Sequence, residues 1–359
     1  QVSSALYHDQ FPDVPTFGSH EEVSNDTAPG GYLDVTSGVD VSFCSPPCSS
    51  YSTIGSLQLD TTYDGQLLLK HIEHVVQHVR PLAHNVETVC NAVQVDNGRI
   101  RELLRQAGEQ AGYKMFCKSV TPIDVGGVQD RPRCQLMFVR EDVVDLCGDF
   151  QYPAATTATV LPRLRDYLDP VDEVQWDALR SDAHYVPSVH SHNHERGYRG
   201  VLQNFTTGAI GPGQSSYSID GPTGVIKSFD APNPGGRTGV YCDDREPAPV
   251  GETNHRRLSA TETTRIFDLP PPAMFNCTDD ELLDRVGKGR DCHEVRAIAK
   301  QLYAYLAPFK LAKPGKCYNV HGPGQNTSAA RFQRATGVPS ELMHNRLDHN
   351  SRDSGIRLG

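Results

Sequence analysis

The sequence predicts an α/β fold: a sheet covered by helices, interrupted by a smaller β-rich segment and then resumed. Three observations carry this. Between residues 39 and 140, short β-branched runs alternate with stretches of helical periodicity, the pattern of strands joined by helices. Residues 177–255 are rich in Gly, Pro, Ser, His and Thr, with the texture of short strands and turns. From residue 256 the helical pattern returns.

The elements follow in order. "VDVSFC" (39–44) is a short strand stopped by Pro46 and Pro47, and it delivers a loop. "DGQLLLKHIEHVVQHVRP" (64–81) places Leu68, Ile72, Val75, Val76 and Val79 at helical spacing and ends before Pro81. "LAHNVETV" is a strand. "GRIRELLRQAGEQAGYKMFCKSV" gives a helix, a stop at Gly112 and a strand. "RCQLMFVR" (133–140) is another strand, and "TATVLPRLRDYLD" reads as one more helix. "AIGPGQSSYSIDGPTGVIKSFDAPNPGGRTGVY" reads as strands and turns. In "RRLSATETTRIFDLP", Ser259 is an N-cap and Glu262 completes a capping box. "DRVGKGRDCHEVRAIAKQLYAYL" reads as a turn followed by a long helix. Residues 1–20 read as the end of a helix and a turn, and the chain past about residue 310 reads as a loose polar tail. No internal repeat is visible.

The bulk composition excludes some classes. The chain of 359 residues is long enough for two domains. Its net charge of −10 weighs against a broadly basic nucleic-acid binder but leaves room for a local basic stripe. No apolar run approaches the roughly 18–20 residues that span a bilayer, and no charged-then-apolar leader is visible. The ten cysteines are scattered singly, several in apolar surroundings, as in "YKMFCKSV" and "VDLCGDF". That is the usage of free thiols in an intracellular protein, not of a disulfide framework. The Asn-x-Ser/Thr triplets at Asn204, Asn276 and Asn326 are read as chance. A monomer without a membrane partner is expected.

The chemistry concentrates at "FCSPPCSSYS" (43–52). Cys44 and Cys48 have a spacing that zinc accepts, but a structural site takes four ligands. His190, His192 and His194 alternate in "HSHNH" with no second cysteine pair nearby, so no metal site is expected. Prolines fix the loop and leave Cys48 exposed at the end of a strand. On local grounds it is either an inert thiol or a nucleophile.

The wider pattern chooses between these. "SFCSPPCSSYSTIG" resembles the Pro-Cys nucleophile loop of the cytosine-C5 DNA methyltransferases. "VRPLAHNVETV" (79–89) is similar to that family's R/K-P-x-x-x-x-E-N-V segment, with Thr88 in place of Asn. "DVGGVQDRPRCQLMFV" (124–139) is similar to its G-x-x-Q-x-R-x-R strand. "RRLSATETTRIFDLP" resembles its R-x-L-(S/T)-x-x-E-x-x-R helix entry, and "GPGQSSYSIDGP" with "GGRTGVY" resembles the close of its target-recognition domain. The five occur in the family's order.

The resemblance implies a Rossmann-like class I methyltransferase sheet with an inserted target-recognition domain. It implies a core over 1–176, a recognition domain over 177–255, a return to the core over 256–308 and a tail over 309–359. It implies methyl transfer from S-adenosylmethionine to C5 of a flipped cytosine in double-stranded DNA. Cys48 would add to C6, Glu87 would engage N3, and Arg133, with Arg131 beside it, would face O2. Pro47, Leu67 and Lys288 would line the cofactor pocket, and Ser52 and Gln129 would touch the substrate. Two alternatives stand beside this: an inactive homologue that binds DNA or acts as a scaffold, and an RNA cytosine-C5 methyltransferase.

The chain also departs from the pattern. The family's opening strand with its D-L-F-x-G-x-G-G turn is not found, so a first strand that is missing, or supplied by a complementing chain, is expected. "VGKGRDCHEVRAIA" (286–299) is similar to the family's G-N-x-V-P segment, but Lys288 stands at the Asn and Arg290 at the Val. "NVHGPGQNTSAARF" (319–332) carries a G-x-G that a permuted enzyme would use, though a tail is the preferred reading.

Overall fold

The computed structural model describes residues 36, 38–46, 63–94, 98–156, 162–171, 183–186, 199–204, 210–223, 225–226, 240–242, 245 and 255–312. The first sheet contains β1 (Val41–Cys44), β2 (Ala83–Val89), β3 (Tyr113–Val120) and β4 (Arg133–Arg140), in the spatial order β1-β2-β4-β3. β1 and β2 are parallel, while β4 runs antiparallel to both of its neighbours. Helix α1 (Tyr63–His74) lies in the crossover between β1 and β2. It continues as a π-helical turn (Val75–Val79) that Arg80 closes in the left-handed conformation, just before Pro81. α2 (Cys90–Gln94) and α3 (Arg99–Gln110) lead from β2 to β3. α4 (Glu141–Cys147) follows β4 directly.

Alternation along the strands builds two different layers. Val86, Leu136 and Phe138 meet Leu68 and Ile72 of α1, Val76 of the π-helical turn, and Ile100 and Leu104 of α3 in one core. α3 comes so close that a Cβ added at Gly108 would be 2.9 Å from the Phe138 ring. Ala83, Met137 and Val139 point the other way. They meet Ile298, Leu302, Leu306 and Phe309 of α7 (Cys292–Ala312) in a second core. Full burial of each such side chain stabilises by about 1.5–3 kcal/mol. The sheet is thus covered on both faces.

The second sheet contains β5 (Ala183–Val186), β6 (Arg199–Asn204), β7 (Ile210–Ser218), β8 (Val240–Cys242) and β9 (His255–Arg256), in that spatial order. Where the chain leaves it, α5 (Ala260–Ile266) begins on the expected capping box: Ser259 accepts from the Glu262 N–H, and the Glu262 carboxylate accepts from the Ser259 N–H. α6 (Asp279–Lys288) begins on a second capping box, Thr278 with Glu281. Val128, Leu164, Ile219, Ile226, Ile266, Phe267, Leu282 and Val286 form a third core around these helices.

Two expectations are corrected. "TATVLPRLRDYLD" forms no α-helix in its described part. Arg163 is extended, and Leu164–Tyr167 is a single 3₁₀ turn. The N–H groups of Leu164 and Arg165 donate to the carbonyls of Gly221 and Ile219 instead of to a preceding helical turn, so tertiary pairing overrides propensity. "DRVGKG" is not a turn: through Lys288 it is the end of α6, whose start signal at Thr278 lies upstream. α7 also continues through Ala312, past the expected tail boundary. The expected elements in residues 1–20 and the G-x-G at 319–332 lie outside the described residues.

Arg256 is the largest fully buried side chain, and its guanidinium forms a two-pronged pair with Glu262 at 2.7 and 2.8 Å. Removing one partner of such a pair strands a buried charge, at a cost of about 3–5 kcal/mol. Glu262→Ala is therefore expected to lower stability by that amount in urea unfolding. Ser259→Ala, which removes only a cap, is expected to cost about 1 kcal/mol.

Candidate active site

β1 and β2 are parallel, so their C-terminal ends lie together, the edge at which α/β sheets gather their ligands. β4 runs the opposite way and brings its first residue, Arg133, to the same edge, where it is paired in register with Val89. Glu87 and Arg133 meet there, with the Arg133 Nε 2.9 Å from the Glu87 Oε1. Both are largely buried, at 14% and 8% side-chain exposure, which strengthens their attraction relative to a surface pair. The hydroxyl of Ser45, the first residue after β1, donates to the Glu87 Oε2. The carboxylate is thus held from both sides, by a cation and by a hydroxyl.

Below this pair on the same face, the polar pattern continues for one more step of the pleat. Asn85 donates to the Gln135 Oε1 at 3.2 Å. Arg290, just before α7, donates from Nη2 to the Asn85 Oδ1 at 2.8 Å and to the Gln135 Oε1 at 2.9 Å. Gln135 in turn donates to Glu294 of α7. Burial pushes the Glu294 carboxyl up to about 8, partly offset by the Arg290 charge and reinforced by Glu87 and Asp291. Burial also pushes the Cys44 thiol up to about 12, which keeps it protonated and inert at neutral pH.

Arg131 and Gln129 serve a different geometry. Arg131 donates from Nη1 to the Ile226 carbonyl at 2.7 Å, and from Nη2 to the carbonyls of Gly287 and Gly289 at 3.1 and 3.2 Å. Its guanidinium also lies 5.8 Å from the centre of the Phe267 ring. Burial pulls its pKa down to about 10, and the like charge of Arg133 adds to this. Gln129 accepts from the Ile226 N–H at 3.1 Å and donates to Asp291 at 3.4 Å. The main chain reinforces the link, with Asp130 N–H donating to the Thr223 carbonyl and Thr223 N–H to that of Val128. Gly127 leaves room for the close approach, since a Cβ there would lie 3.0 Å from Pro122 and 3.3 Å from His293.

The structure therefore brings Glu87 and Arg133 together, and it sets Arg131 and Gln129 on the chain segments behind them. Lys288 is 55% exposed at the end of α6, with its ammonium 2.8 Å from Asp284. Pro47, Cys48, Ser52 and the side chain of Leu67 lie outside the described residues. Ser45, Asn85, Gln135, Arg290 and Glu294 were not anticipated. One signal for two of them, Asn85 and Gln135, was available. Polar residues at every second position of an otherwise buried strand, Asn85–Glu87 and Arg133–Gln135, mark a polar stripe on one face. Among the described residues, no cluster of His, Cys, Asp or Glu could hold a metal ion, and no helix is long and apolar enough to cross a membrane.

Comparison with known proteins bears on this arrangement. The family model for C-5 cytosine-specific DNA methylase matches residues 3–303. The chain belongs to this family. Among curated relatives of the chain, the type II methyltransferase M.FnuDI of Fusobacterium nucleatum is 30% identical over 111 residues, 30% of this chain and 31% of its own. M.BspRI of Lysinibacillus sphaericus is 25% identical over 279 residues, 73% of this chain and 60% of its own. The matches thus span less than two thirds of either relative. The Dnmt2 methyltransferase of S. pombe shares the fold, with a TM-score of 0.55 and 16% identity over 85% of this chain and 87% of its own. The four-stranded sheet and its flanking helices are accordingly a Rossmann-like class I methyltransferase core.

Glu294 makes the stability of this methylase-family core depend on pH. Its pKa is higher folded than unfolded, so the stability it contributes is complete below about 4.5 and is lost as pH rises towards about 8. Through that window the loss approaches about 1.4 kcal/mol per pH unit. Glu294→Gln is expected to flatten the stability profile between pH 5 and 8 and to exceed the parent in stability at pH 8, as read by thermal unfolding.

Proposed function

We propose that this protein is a DNA (cytosine-5-)-methyltransferase that uses S-adenosylmethionine and works through a covalent adduct between Cys48 and C6 of a flipped cytosine. The observation that supports this most is the Glu87–Arg133 pair at the ligand-gathering edge of the sheet, with Ser45 on the chain that leads to the Pro-Cys loop. C5 of cytosine is a poor nucleophile. Addition of the Cys48 thiolate at C6 forms a carbon–sulfur bond, breaks the C5–C6 double bond and moves an electron pair into the ring. Glu87, hydrogen-bonded at N3 and accepting from the exocyclic amine, holds the base and eases that shift. Arg133, beside it, offsets negative charge developing at O2. C5, now enamine-like, would take the methyl group as the donor's carbon–sulfur bond breaks and a neutral thioether leaves. Loss of the C5 proton to solvent then restores the double bond and expels the thiolate.

When bound, S-adenosylmethionine supplies the methyl group as a sulfonium. Among the described residues its fit is partial. Phe43, a 40%-exposed aromatic on β1, offers the apolar surface such a donor needs, whereas Lys288 is tied to Asp284. Pro47 and Leu67 are proposed to complete that pocket. Arg131 is proposed to position, not to touch the base, because its donors are taken up by three carbonyls. Lys114, Arg99 and similar scattered cations form no continuous stripe in the sequence, so base reading is proposed for the sheet within residues 177–255.

The test is a covalent trap. Incubation with S-adenosylmethionine and duplex DNA containing 5-fluorocytosine is expected to give a denaturant-resistant complex that Cys48→Ser abolishes. Glu87→Ala and Arg133→Ala are expected to slow methyl transfer by about 10²–10³-fold. Absence of the complex on DNA, with its appearance on RNA of the same sequence, would move the substrate to RNA. Absence on both, with DNA binding retained, would mark a non-catalytic DNA-binding protein.

A further inference from the structure

Arg290 is a buried cation that the fold does not fully satisfy. Its Nη2 holds Asn85 and Gln135, but its Nε and Nη1 are buried with no hydrogen-bond partner among the described residues. A buried donor left without an acceptor loses its hydration and gains nothing in return. The nearest carboxyl group on its own side, Glu294, is 3.8 Å away. Burial pushes that carboxyl up to about 8, which weakens it as a counter-charge near neutral pH. Burial pulls the Arg290 pKa down, and the charge that opposes this most is Glu87, ahead of Glu294, Cys44 and Cys292. The guanidinium also lies 5.6 Å from the centre of the Phe43 ring on β1. One side chain thus links β1, β2, β4 and the start of α7 directly beneath the Glu87–Arg133 pair.

A buried cation with two donors unmet, and its Nη2 spent on the two amides that stand one pleat from Glu87 and Arg133, points to work at that pair. We propose that Arg290 is a positioning residue for Glu87: through Asn85 and Gln135 it fixes the two strands that carry Glu87 and Arg133. Its importance for turnover rests on the methyltransferase reading above, but its coupling to Glu87 does not. The charged and titratable groups facing the cluster are Glu87 on β2, Arg133 on β4, Cys44 on β1, Asp291 and Cys292 before α7, and Glu294 on it.

Two variants test this in the full chain. Arg290→Gln removes the charge and keeps an amide donor, while Arg290→Lys keeps the charge. Carboxyl ¹³C NMR of the free protein follows Glu87 without turnover, with Glu87→Gln identifying its signal. Arg290→Gln is expected to move the Glu87 carboxyl signal at a fixed neutral pH, and Arg290→Lys to leave it in place. Arg290→Gln is also expected to lower kcat at least tenfold with KM for DNA changed less than threefold, to be no less thermostable than the parent, and to be rescued by Arg290→Lys. A Glu87 signal unmoved by Arg290→Gln overturns the proposal, whether or not the protein methylates DNA. So does a fall in stability that Arg290→Lys shares in full, the mark of packing alone. A Glu87 signal moved by Arg290→Gln, where the parent protein transfers no methyl group, sinks the functional reading and leaves the Arg290–Glu87 coupling standing.

Discussion

The pairing of β2 with β4 is the constraint from which the rest follows. Val86 opposite Leu136 and Glu87 opposite Gln135 fix which side chains share a face. One face then supplies Val86, Leu136 and Phe138 to the core under α1 and α3. The other carries Asn85, Glu87, Arg133 and Gln135, and only beyond them does it become apolar again, at Ala83, Met137 and Val139. A slip of one residue would exchange the two sets. It would place ionised groups against leucines and valines, a penalty of several kcal/mol for each charge. The antiparallel direction of β4 matters equally, since it is what carries Arg133 to the edge where β1 and β2 end.

Behind that edge, the segment before β4 acts as a splint. Gln129 and Arg131 spend their hydrogen bonds on Ile226, Gly287, Gly289 and Asp291, joining the chain that leaves β7 to the corner between α6 and α7. The same corner delivers Arg290 to the polar stripe. The two arginines of "DRPR" therefore have separate employments although they are two residues apart. Arg133 faces the carboxylate across the strand, and Arg131 is withdrawn into the main chain of distant segments.

Much of this was readable from local pattern. The bounds of β4 match "RCQLMFVR", and α3, Gly112 and β3 follow the order expected from periodicity and a glycine stop. The capping box at Ser259 and Glu262 was legible because its two halves are three residues apart. Glu87 and Arg133 were legible as candidates through the family pattern, and the structure sets them in contact. What escaped reading was long-range. No local feature of "TATVLPRLRDYLD" announces that its N–H groups are taken by residues 219 and 221. Nothing near Arg131 names its three carbonyls. Arg290 and Glu294 look like an ordinary solvated pair one helical turn apart until α7 is laid against the sheet.

The hydrogen bond from Ser45 to Glu87 has a bearing on how this loop can vary. The parallel register sets Cys44 beside Val86, so the chain leaving β1 passes over Glu87 at its first free residue. Up to Ser45 the loop is measured against the carboxylate, residue by residue. An inserted or deleted residue before that point would turn the hydroxyl away and re-aim everything downstream.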